Sequence, residues 1–437
     1  AFRGMYDHLA GGFHRYSTDE FWLVSHFEKM LYDNALLAIT YLEAYQLFKD
    51  ENYKQIACET LDYILLEMTS PDGGFYSAQD ADSLVPELGE KEEGYFCTFT
   101  HEEIRKLPTE EFSAMNKVFD FPQGGHLDGR MVLALRQGVR WQEKLNPLVQ
   151  KAMSRLRVAR AARPLPITDD KILLAWNGLM ISAMARAHRI AGEARYLDAA
   201  EKSLQFIRTK MVIGEQAYRT FRSGQVKSKA FCDDYAGLIR AALDLYQSTF
   251  NEEYLHWAYQ MQKKQNELFW SDDHGFYFRD DGTDATIITR VRDDYDGVTP
   301  SANSLSALNL LTLYQVFADA ECSAKMNALF AANLEQIHNY PMSRPQMLLA
   351  LREHWSESGQ AVFSQSPFAA ETVTQLQKLR EDFFPDVFFA VLTKESQIPL
   401  LSGKKAENKL KIYLCKNQSC LLQADSLDVL KEALQKS

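Results

Sequence analysis

Histidines and carboxylates occur at the predicted starts of several helices and in the loops before them. Glycoside cleavage needs one protonated and one ionised carboxyl group, whereas epimerisation or isomerisation needs a base of tuned pKa beside an acidic carbon. A histidine such as His14 or His26 could be that base, because the ordinary pKa of histidine lies near neutral pH. The candidate catalytic residues are His14, His26, Asp33, Asp170 and Asp234. Their spacing leaves both reaction types open.

Amides, further acids and aromatic side chains accompany these candidates. Carboxylates and amides bind pairs of sugar hydroxyls, and flat aromatic faces pack against the apolar side of a sugar ring. We therefore expect a funnel that binds a small carbohydrate. The candidate binding residues are Arg15, Tyr16, Glu28, Asn34, Asp80, Asp82, Trp176, Asn177, Tyr235, Asp296 and Asn303.

Each of these candidates also has a structural interpretation. An Asp or Asn in the first turn of a helix is more often a cap or a partner of the helix dipole than a catalyst. His8 and His188 are predicted to be structural, and the recurring Tyr53, Tyr196 and Tyr254 are predicted to pack in the core. The whole set of polar helix starts, and no single member of it, therefore indicates the function.

An internal repeat positions the candidates. Four helix starts align at Asn34, Asn177, Tyr235 and Asn303, and a tyrosine follows each of the first three at the same distance. Each copy consists of a helix, a short break, a second helix and a loop rich in glycine and aromatic residues, with apolar residues at helical intervals. The uneven spacing of the copies excludes a solenoid of fixed period. The pattern favours an all-α fold, an (α/α)6 toroid of helical hairpins whose inner helices begin around one funnel.

Two regions are predicted. The toroid covers residues 1–357, with an insertion at 84–165, and one inner helix is expected upstream of Ala1. Residues 358–437 contain short apolar segments with the pattern of strands, so they are predicted to form a small α/β subdomain.

Composition narrows the partners and the compartment. The 48 Lys and Arg residues against 59 Asp and Glu give a net charge of −11, which disfavours nucleic acid or an anionic membrane as a partner. The six cysteines are thinly scattered and are predicted to be free thiols of a cytoplasmic protein. Cys415 and Cys420 lack the second ligand pair of a zinc site. Nucleotide-binding glycine motifs do not occur in the sequence, and neither a metal nor a cofactor is predicted.

Several long motifs resemble one known family. These motifs are residues 6–17, 26–34, 73–83, 169–179 and 300–304. They closely resemble the spermatogenesis-associated protein 20 family, the YyaL-like thioredoxin-domain-containing proteins, and the similarity extends over essentially the whole chain. The resemblance implies a six-hairpin glycosidase-like barrel, similar to N-acylglucosamine 2-epimerase, preceded by a thioredoxin-like domain. That domain is an expected partner in the full-length chain. Ser25, where proline is expected, and residues 94–98 depart from the family pattern.

Three functions remain open on the sequence. The first is a carbohydrate-active enzyme, either a glycoside hydrolase or a sugar epimerase or isomerase. The second is a non-catalytic scaffold that binds a glycan or a protein and works with a thioredoxin-like domain. The third is an isoprenoid-handling barrel, which would need a clustered acidic metal motif, and three Asp-Asp dipeptides are its only support.

Overall fold

The chain folds into two compact units. The computed structural model describes residues 1–356, 359–416 and 419–436. The units are Ala1–Ile172 and Leu173–Ser437, which we call the N-terminal unit and the C-terminal unit.

The N-terminal unit combines a helical hairpin with short strands and smaller helices. Its helices are α1 (Leu31–Phe48), α2 (Glu51–Glu67), α3 (His101–Arg105), α4 (Thr109–Val118) and α5 (Pro147–Ala161). Its strands are β1 (Tyr16–Ser17), β2 (Ser25–His26), β3 (Lys29–Met30), β4 (Ala78–Gln79), β5 (Asp82–Val85), β6 (Glu90–Glu93), β7 (Phe99–Thr100), β8 (Arg130–Met131) and β9 (Thr168–Asp169). Tyr6, Phe119 and Trp141 lie in its hydrophobic core.

An antiparallel sheet in the order β3-β4-β9 joins three candidate segments of this unit. Met30 pairs with Ala78, and Ala78 pairs with Asp169. Because β3 runs directly into α1, the sheet holds the α1 start beside the segments that carry Asp80 and Asp170.

Strand β10 (Ile172–Leu173) follows, and the C-terminal unit then contains the remaining hairpins. Its helices are α6 (Leu174–Ala191), α7 (Ala194–Phe206), α8 (Cys232–Thr249), α9 (Glu252–Phe269), α10 (Ala302–Phe317), α11 (Ala320–Asn339), α12 (Pro345–Trp355), α13 (Ala370–Arg380) and α14 (Leu427–Lys436). Its strands are β11 (Val212–Ile213), β12 (Gln216–Arg222), β13 (Gln225–Lys229), β14 (Trp270–Ser271), β15 (Phe276–Tyr277), β16 (Gln360–Ser364), β17 (Phe388–Leu392), β18 (Lys411–Lys416) and β19 (Ser419–Ala424).

The same local chemistry turns the chain in three hairpins. Helices α1, α8 and α10 end at residues with left-handed backbone, Lys49 (φ 57°), Phe250 (φ 58°) and Ala318 (φ 55°). The next residue in each case, Asp50, Asn251 or Asp319, accepts a hydrogen bond from a backbone N–H of the following helix. A left-handed residue ends one helix and an Asx side chain caps the next, so the break in the repeat is a compact helix–helix turn.

Helices α6 and α8 approach closely within the C-terminal unit. A Cβ atom on Gly178 would lie 2.6 Å from the carbonyl carbon of Gly237. Since backbone cannot yield as a side chain can, this crossing requires glycine.

The C-terminal end of the chain forms a four-stranded sheet in the order β17-β16-β18-β19. Strands β16 and β17 are parallel and the other pairs are antiparallel. Phe363, Leu379 and Leu430 form part of its core. The predicted boundary between residues 357 and 358 lies outside the described residues.

Cys415 and Cys420 form a disulfide, so the prediction of free thiols is wrong at these two positions. They face each other across β18 and β19, with their Cα atoms 3.8 Å apart. The antiparallel register places the two sulfur atoms together, which sequence spacing alone does not reveal. Cys58, Cys97, Cys232 and Cys322 are not part of a disulfide.

The predicted fold class, helical hairpins of the (α/α)6 kind with a small α/β part at the C-terminal end, is confirmed. None of the helices in the described ranges is both long and apolar enough to cross a membrane.

Candidate functional site

The N-terminal unit gathers polar side chains immediately before α1. The rings of Tyr16 and His26, which pair across β1 and β2, stack with their centroids 4.9 Å apart. Nη1 of Arg15 donates to Oε2 of Glu28 at 3.0 Å. Nε2 of His26 lies 3.6 Å from the same oxygen atom, and its Nδ1 lies 2.7 Å from Oε1 of Glu93. His26 is therefore held between two carboxylates.

Asp33 completes this group from the first turn of α1. Its Oδ2 atom is buried and has no hydrogen-bond partner among the described residues. Burial raises the pKa of Asp33 to about 7; Arg15 opposes this shift and the negative charge of Glu28 adds to it. Asp33 can therefore carry a proton near neutral pH. We call Arg15, Tyr16, His26, Glu28, Asp33 and Glu93 the α1-start cluster.

His14 occupies a different environment. The side chain is buried, its ring packs edge-on against Phe27, and its Nδ1 lies 3.0 Å from the Phe27 carbonyl oxygen. Burial, together with the charge of Lys29, lowers the pKa of His14 to about 3. A ring that stays neutral and buried supports the loop, so His26 is the better placed of the two candidate histidines.

Asn34 and Asn303 occupy equivalent repeat positions and bind backbone. Oδ1 of Asn34 accepts from the Phe13 N–H at 2.7 Å, and its Nδ2 donates to the Phe13 carbonyl at 3.2 Å. In the C-terminal unit, Oδ1 of Asn303 accepts from the Tyr277 N–H at 2.8 Å, and its Nδ2 donates to the Tyr277 carbonyl at 2.9 Å. Each amide thus fixes the glycine- and aromatic-rich loop that precedes its helix.

Tyr235, at the equivalent repeat position, binds the backbone through its hydroxyl group. Its buried hydroxyl accepts from the Ala217 N–H at 3.4 Å. Asn177 is buried and donates to the Leu173 carbonyl at 2.9 Å. The recurring polar residue at this position therefore forms hydrogen bonds with the backbone. The internal repeat in the sequence does not distinguish this structural role from ligand binding.

Asp234 is enclosed at the start of α8. Its carboxylate accepts from the N–H groups of Ala175 and Phe231, each at 2.9 Å, and from Nη1 of Arg219 at 2.8 Å. Burial and the neighbouring Asp233 raise its pKa to about 7, against the opposing charge of Arg219. These bonds tie α8 to β12 and to the start of α6.

Arg219 also binds Asp233, the residue before Asp234. Nη1 and Nη2 of Arg219 bind Asp233 at 2.9–3.1 Å, and Asp233 stays partly exposed. Burial and the charge of Asp233 raise the pKa of Asp293. In the sequence, Asp233 stands out only as part of an Asp-Asp dipeptide. No sequence pattern marks Arg219 on β12 as a functional residue.

Asp296 acts as a cap between two helices. Its carboxylate accepts from the Ser301 N–H before α10 and from the Gln346 N–H in the first turn of α12, both at 2.8 Å. Both oxygen atoms are thereby occupied with backbone.

The remaining candidates are half-buried in their separate units. In the N-terminal unit, Oδ1 of Asp80 accepts from the Asp82 N–H at 3.4 Å, and Asp170 follows β9 in the adjacent segment. Trp176 lies in the first turn of α6 in the C-terminal unit. The sequence also missed Glu93, which reaches His26 from β6 although the two residues are distant in the chain.

Sequence comparison identifies relatives of this chain. No protein-family model matches it. It is 32% identical to spermatogenesis-associated protein 20 of Homo sapiens over 464 residues, which cover 95% of this chain and 59% of the human protein. It is 30% identical to an uncharacterized protein of Caenorhabditis elegans, covering 99% of this chain and 64% of that protein. The predicted resemblance is confirmed, and the chain spans about three fifths of the length of these curated relatives.

Solved structures superimpose at low identity. Cellobiose 2-epimerase from Bacillus thermoamylovorans gives a TM-score of 0.44 at 11% identity, covering 80% of this chain and 68% of that one. Unsaturated glucuronyl hydrolase from Bacillus sp. gives 0.40 at 13% identity, covering 75% and 63%.

Proposed function

We propose that this chain, a relative of spermatogenesis-associated protein 20, is a carbohydrate-active enzyme that works through the α1-start cluster. Asp33 is the general acid, and Glu28 or His26 is the base. The observation that carries this proposal is a half-buried carboxyl group, whose Oδ2 atom has no hydrogen-bond partner among the described residues, in the same cluster as an ion-paired carboxylate. Hydrolysis of a glycosidic bond and epimerisation or isomerisation of a sugar are the two reactions that this pair can serve.

The two carboxyl groups of the pair lie in different environments. Environments that separate the pKa values of two carboxyl groups assign one to acid and the other to base or nucleophile. The Oδ2 atom of Asp33 is buried without a hydrogen-bond partner among the described residues and favours a proton, whereas Glu28 is paired with Arg15 at 3.0 Å. The negative charge of Glu28 contributes to the raised pKa of Asp33, which supports a joint role for the two groups.

His26 supplies the route to epimerisation or isomerisation. A histidine oriented by carboxylates can take a proton from a carbon next to a carbonyl and return it. Each ring nitrogen of His26 has a carboxylate neighbour, Glu28 on one side and Glu93 on the other. The ring is therefore fixed in position before a substrate arrives.

Exposed aromatic rings supply the sugar platform. Tyr16 is 49% exposed, Phe21 is 66% exposed and Trp22 is 61% exposed, all within or beside the β1–β2 hairpin. Flat exposed faces of this kind pack against the apolar side of a sugar ring. Arg15 and Glu28 then provide a donor and an acceptor for its hydroxyls.

The length of the relatives and the net charge bear on the partners and the compartment. The relatives are longer than this chain, so we propose that a thioredoxin-like domain accompanies it in the full-length protein. The net charge of −11 disfavours nucleic acid or an anionic membrane as a partner, and we propose a cytoplasmic location. Side-chain acid–base chemistry requires neither a metal nor a cofactor. Asp170 and Asp234 remain secondary candidates for proton transfer.

Thermal stabilisation by a panel of monosaccharides and disaccharides tests the proposal. A sugar present at 100 times its dissociation constant should stabilise the fold by about 2.7 kcal/mol. Tyr16→Ala should abolish the rise in melting temperature, while Tyr340→Ala, which removes another exposed tyrosine, should leave it intact. A panel without effect on a well-folded chain would overturn the proposal and favour the non-catalytic scaffold.

A further inference from the structure

A cavity of about 480 Å³ in the N-terminal unit is lined by residues outside the α1-start cluster. It lies between α2, α5 and the loop that follows Asp7. Its lining includes the polar side chains of Arg160, Gln79 and Tyr63, which we call the polar end, and the apolar side chains of Phe96 and Leu165, which we call the apolar wall. The cavity therefore offers both polar and apolar contacts.

Buried charges surround the polar end. Asp7 accepts from Nζ of Lys29 at 2.9 Å and receives two bonds of 2.9 Å from Nη1 of Arg160. It also accepts from the N–H groups of Leu9 and Ala10. Burial opposes the charge of Asp7, but Arg160 and Lys29 outweigh it and hold the pKa well below its ordinary value. Asp7 is therefore ionised and fully engaged.

Arg160 keeps one edge of its guanidinium group available. Its side chain is only 6% exposed, and both of its hydrogen bonds to Asp7 come from Nη1. Among the described residues, no acceptor binds its Nε or Nη2 atom. Since Arg160 lines the cavity, the Nε–Nη2 edge is the fork that remains for a ligand.

Gln79 presents a further donor to the same space. Its Oε1 accepts from the Tyr63 hydroxyl at 3.1 Å, while its Nε2 has no acceptor in the part of the chain that the structure describes. The side chain is 8% exposed and lines the cavity. The polar end thus offers N–H donors from two nearly buried side chains.

The charges of the residues that line the cavity favour an anionic ligand. Lys29, Arg157 and Arg160 outnumber the acids Asp7 and Glu67 among the lining residues, although the whole chain carries a net charge of −11. A planar carboxylate matches the guanidinium fork with two parallel hydrogen bonds, which a spherical or neutral group does not. The apolar wall suits a hydrocarbon or aromatic body.

We propose that this cavity binds a small monocarboxylate with an apolar body. The carboxylate accepts from Nε and Nη2 of Arg160 and from Nε2 of Gln79, and the body packs against Phe96 and Leu165. The thiol of Cys97 in the same wall stays neutral, because burial raises its pKa to about 11. The site is independent of the proposed carbohydrate chemistry.

Isothermal titration calorimetry with benzoate tests this site. Benzamide, its neutral analogue, and inorganic phosphate serve as competing probes. Benzoate should bind with 1:1 stoichiometry and at least about tenfold more tightly than either, since hydrogen bonds to a charged group are worth about a factor of ten or more. Arg160→Lys, which keeps the charge and removes the fork, should weaken benzoate binding about tenfold.

A pair of surface variants tests the site even if the Arg160→Lys variant does not fold. Leu165 is 61% exposed at the cavity, and Val158 on α5 is 72% exposed away from it. Leu165→Glu should weaken benzoate binding several-fold, and Val158→Glu, with the same change of charge, should not. Equal affinities in these two variants, equal binding of benzoate and benzamide, or tighter binding of phosphate would each overturn the assignment.

Discussion

Replacing Asp33 by asparagine is expected to lower turnover of the carbohydrate substrate by about 10²–10⁴-fold, the range that a positioned general acid contributes. Asparagine keeps the shape of the side chain but has no proton to give. Because a general acid works only while protonated, wild-type turnover should fall as the pH rises through the Asp33 pKa of about 7. Steady-state kinetics over a pH series on the sugar identified by thermal stabilisation measures both effects.

Asp50→Asn provides the matched control. Asp50 also stands at a helix start, where it caps α2, and asparagine is an equally good cap. Its turnover should equal that of the wild type. An equal loss in both variants, or a wild-type pH profile in Asp33→Asn, would remove Asp33 from the mechanism.

The second large effect concerns Asp7. Asp7→Asn should lower the free energy of unfolding by about 3–5 kcal/mol, because removing one partner of a buried ionic group leaves the others uncompensated. Lys29 and Arg160 are both nearly buried around Asp7. Urea unfolding monitored by circular dichroism measures the change. Glu51→Gln, which breaks the exposed pair with Lys54, should cost no more than about 1 kcal/mol.

The effect of Asp7 should depend on pH in a defined direction. Its pKa in the folded chain lies well below its unfolded value of about 3.9. The stabilisation is therefore complete above the unfolded pKa and is lost as the pH falls towards the folded pKa. The difference between wild type and Asp7→Asn should shrink below about pH 4. A difference that stays constant into acid would show that Asp7 is not the ionised centre of this group.

The helical hairpins were predictable because their signals are local. Apolar periodicity predicts each helix, and the repeat aligns breaks that the structure resolves into a left-handed residue followed by an Asx cap, as at Lys49–Asp50 and Ala318–Asp319. These features depend on neighbours a few residues apart. A single sequence with internal copies therefore contains enough information to predict them.

The sequence did not predict which polar residues of the candidate site bind the backbone and which are available to a ligand. Asn34 and Asn303 have the residue type of sugar ligands, yet their amides bind the loops at Phe13 and Tyr277. An asparagine at a helix start serves either purpose, and only the position of the preceding loop decides between them. Repetition of the residue therefore reflects repeated architecture.

Contacts between distant segments could not be predicted from the sequence for a related reason. Arg160 reaches Asp7 across 153 positions, and Glu93 reaches His26 across 67. The Cys415–Cys420 disulfide depends on the register of two strands. Neither composition nor helical periodicity encodes such pairings.

Nuclear magnetic resonance titration of the Asp33 side-chain carboxyl carbon tests the central claim most directly. The resonance is assigned by comparing selectively labelled wild-type chain with Asp33→Asn. A titration midpoint at about pH 7 is expected, and it should move when the stabilising sugar is added. A midpoint near the ordinary aspartate value of about 3.9 would contradict the assignment of Asp33 as the acid.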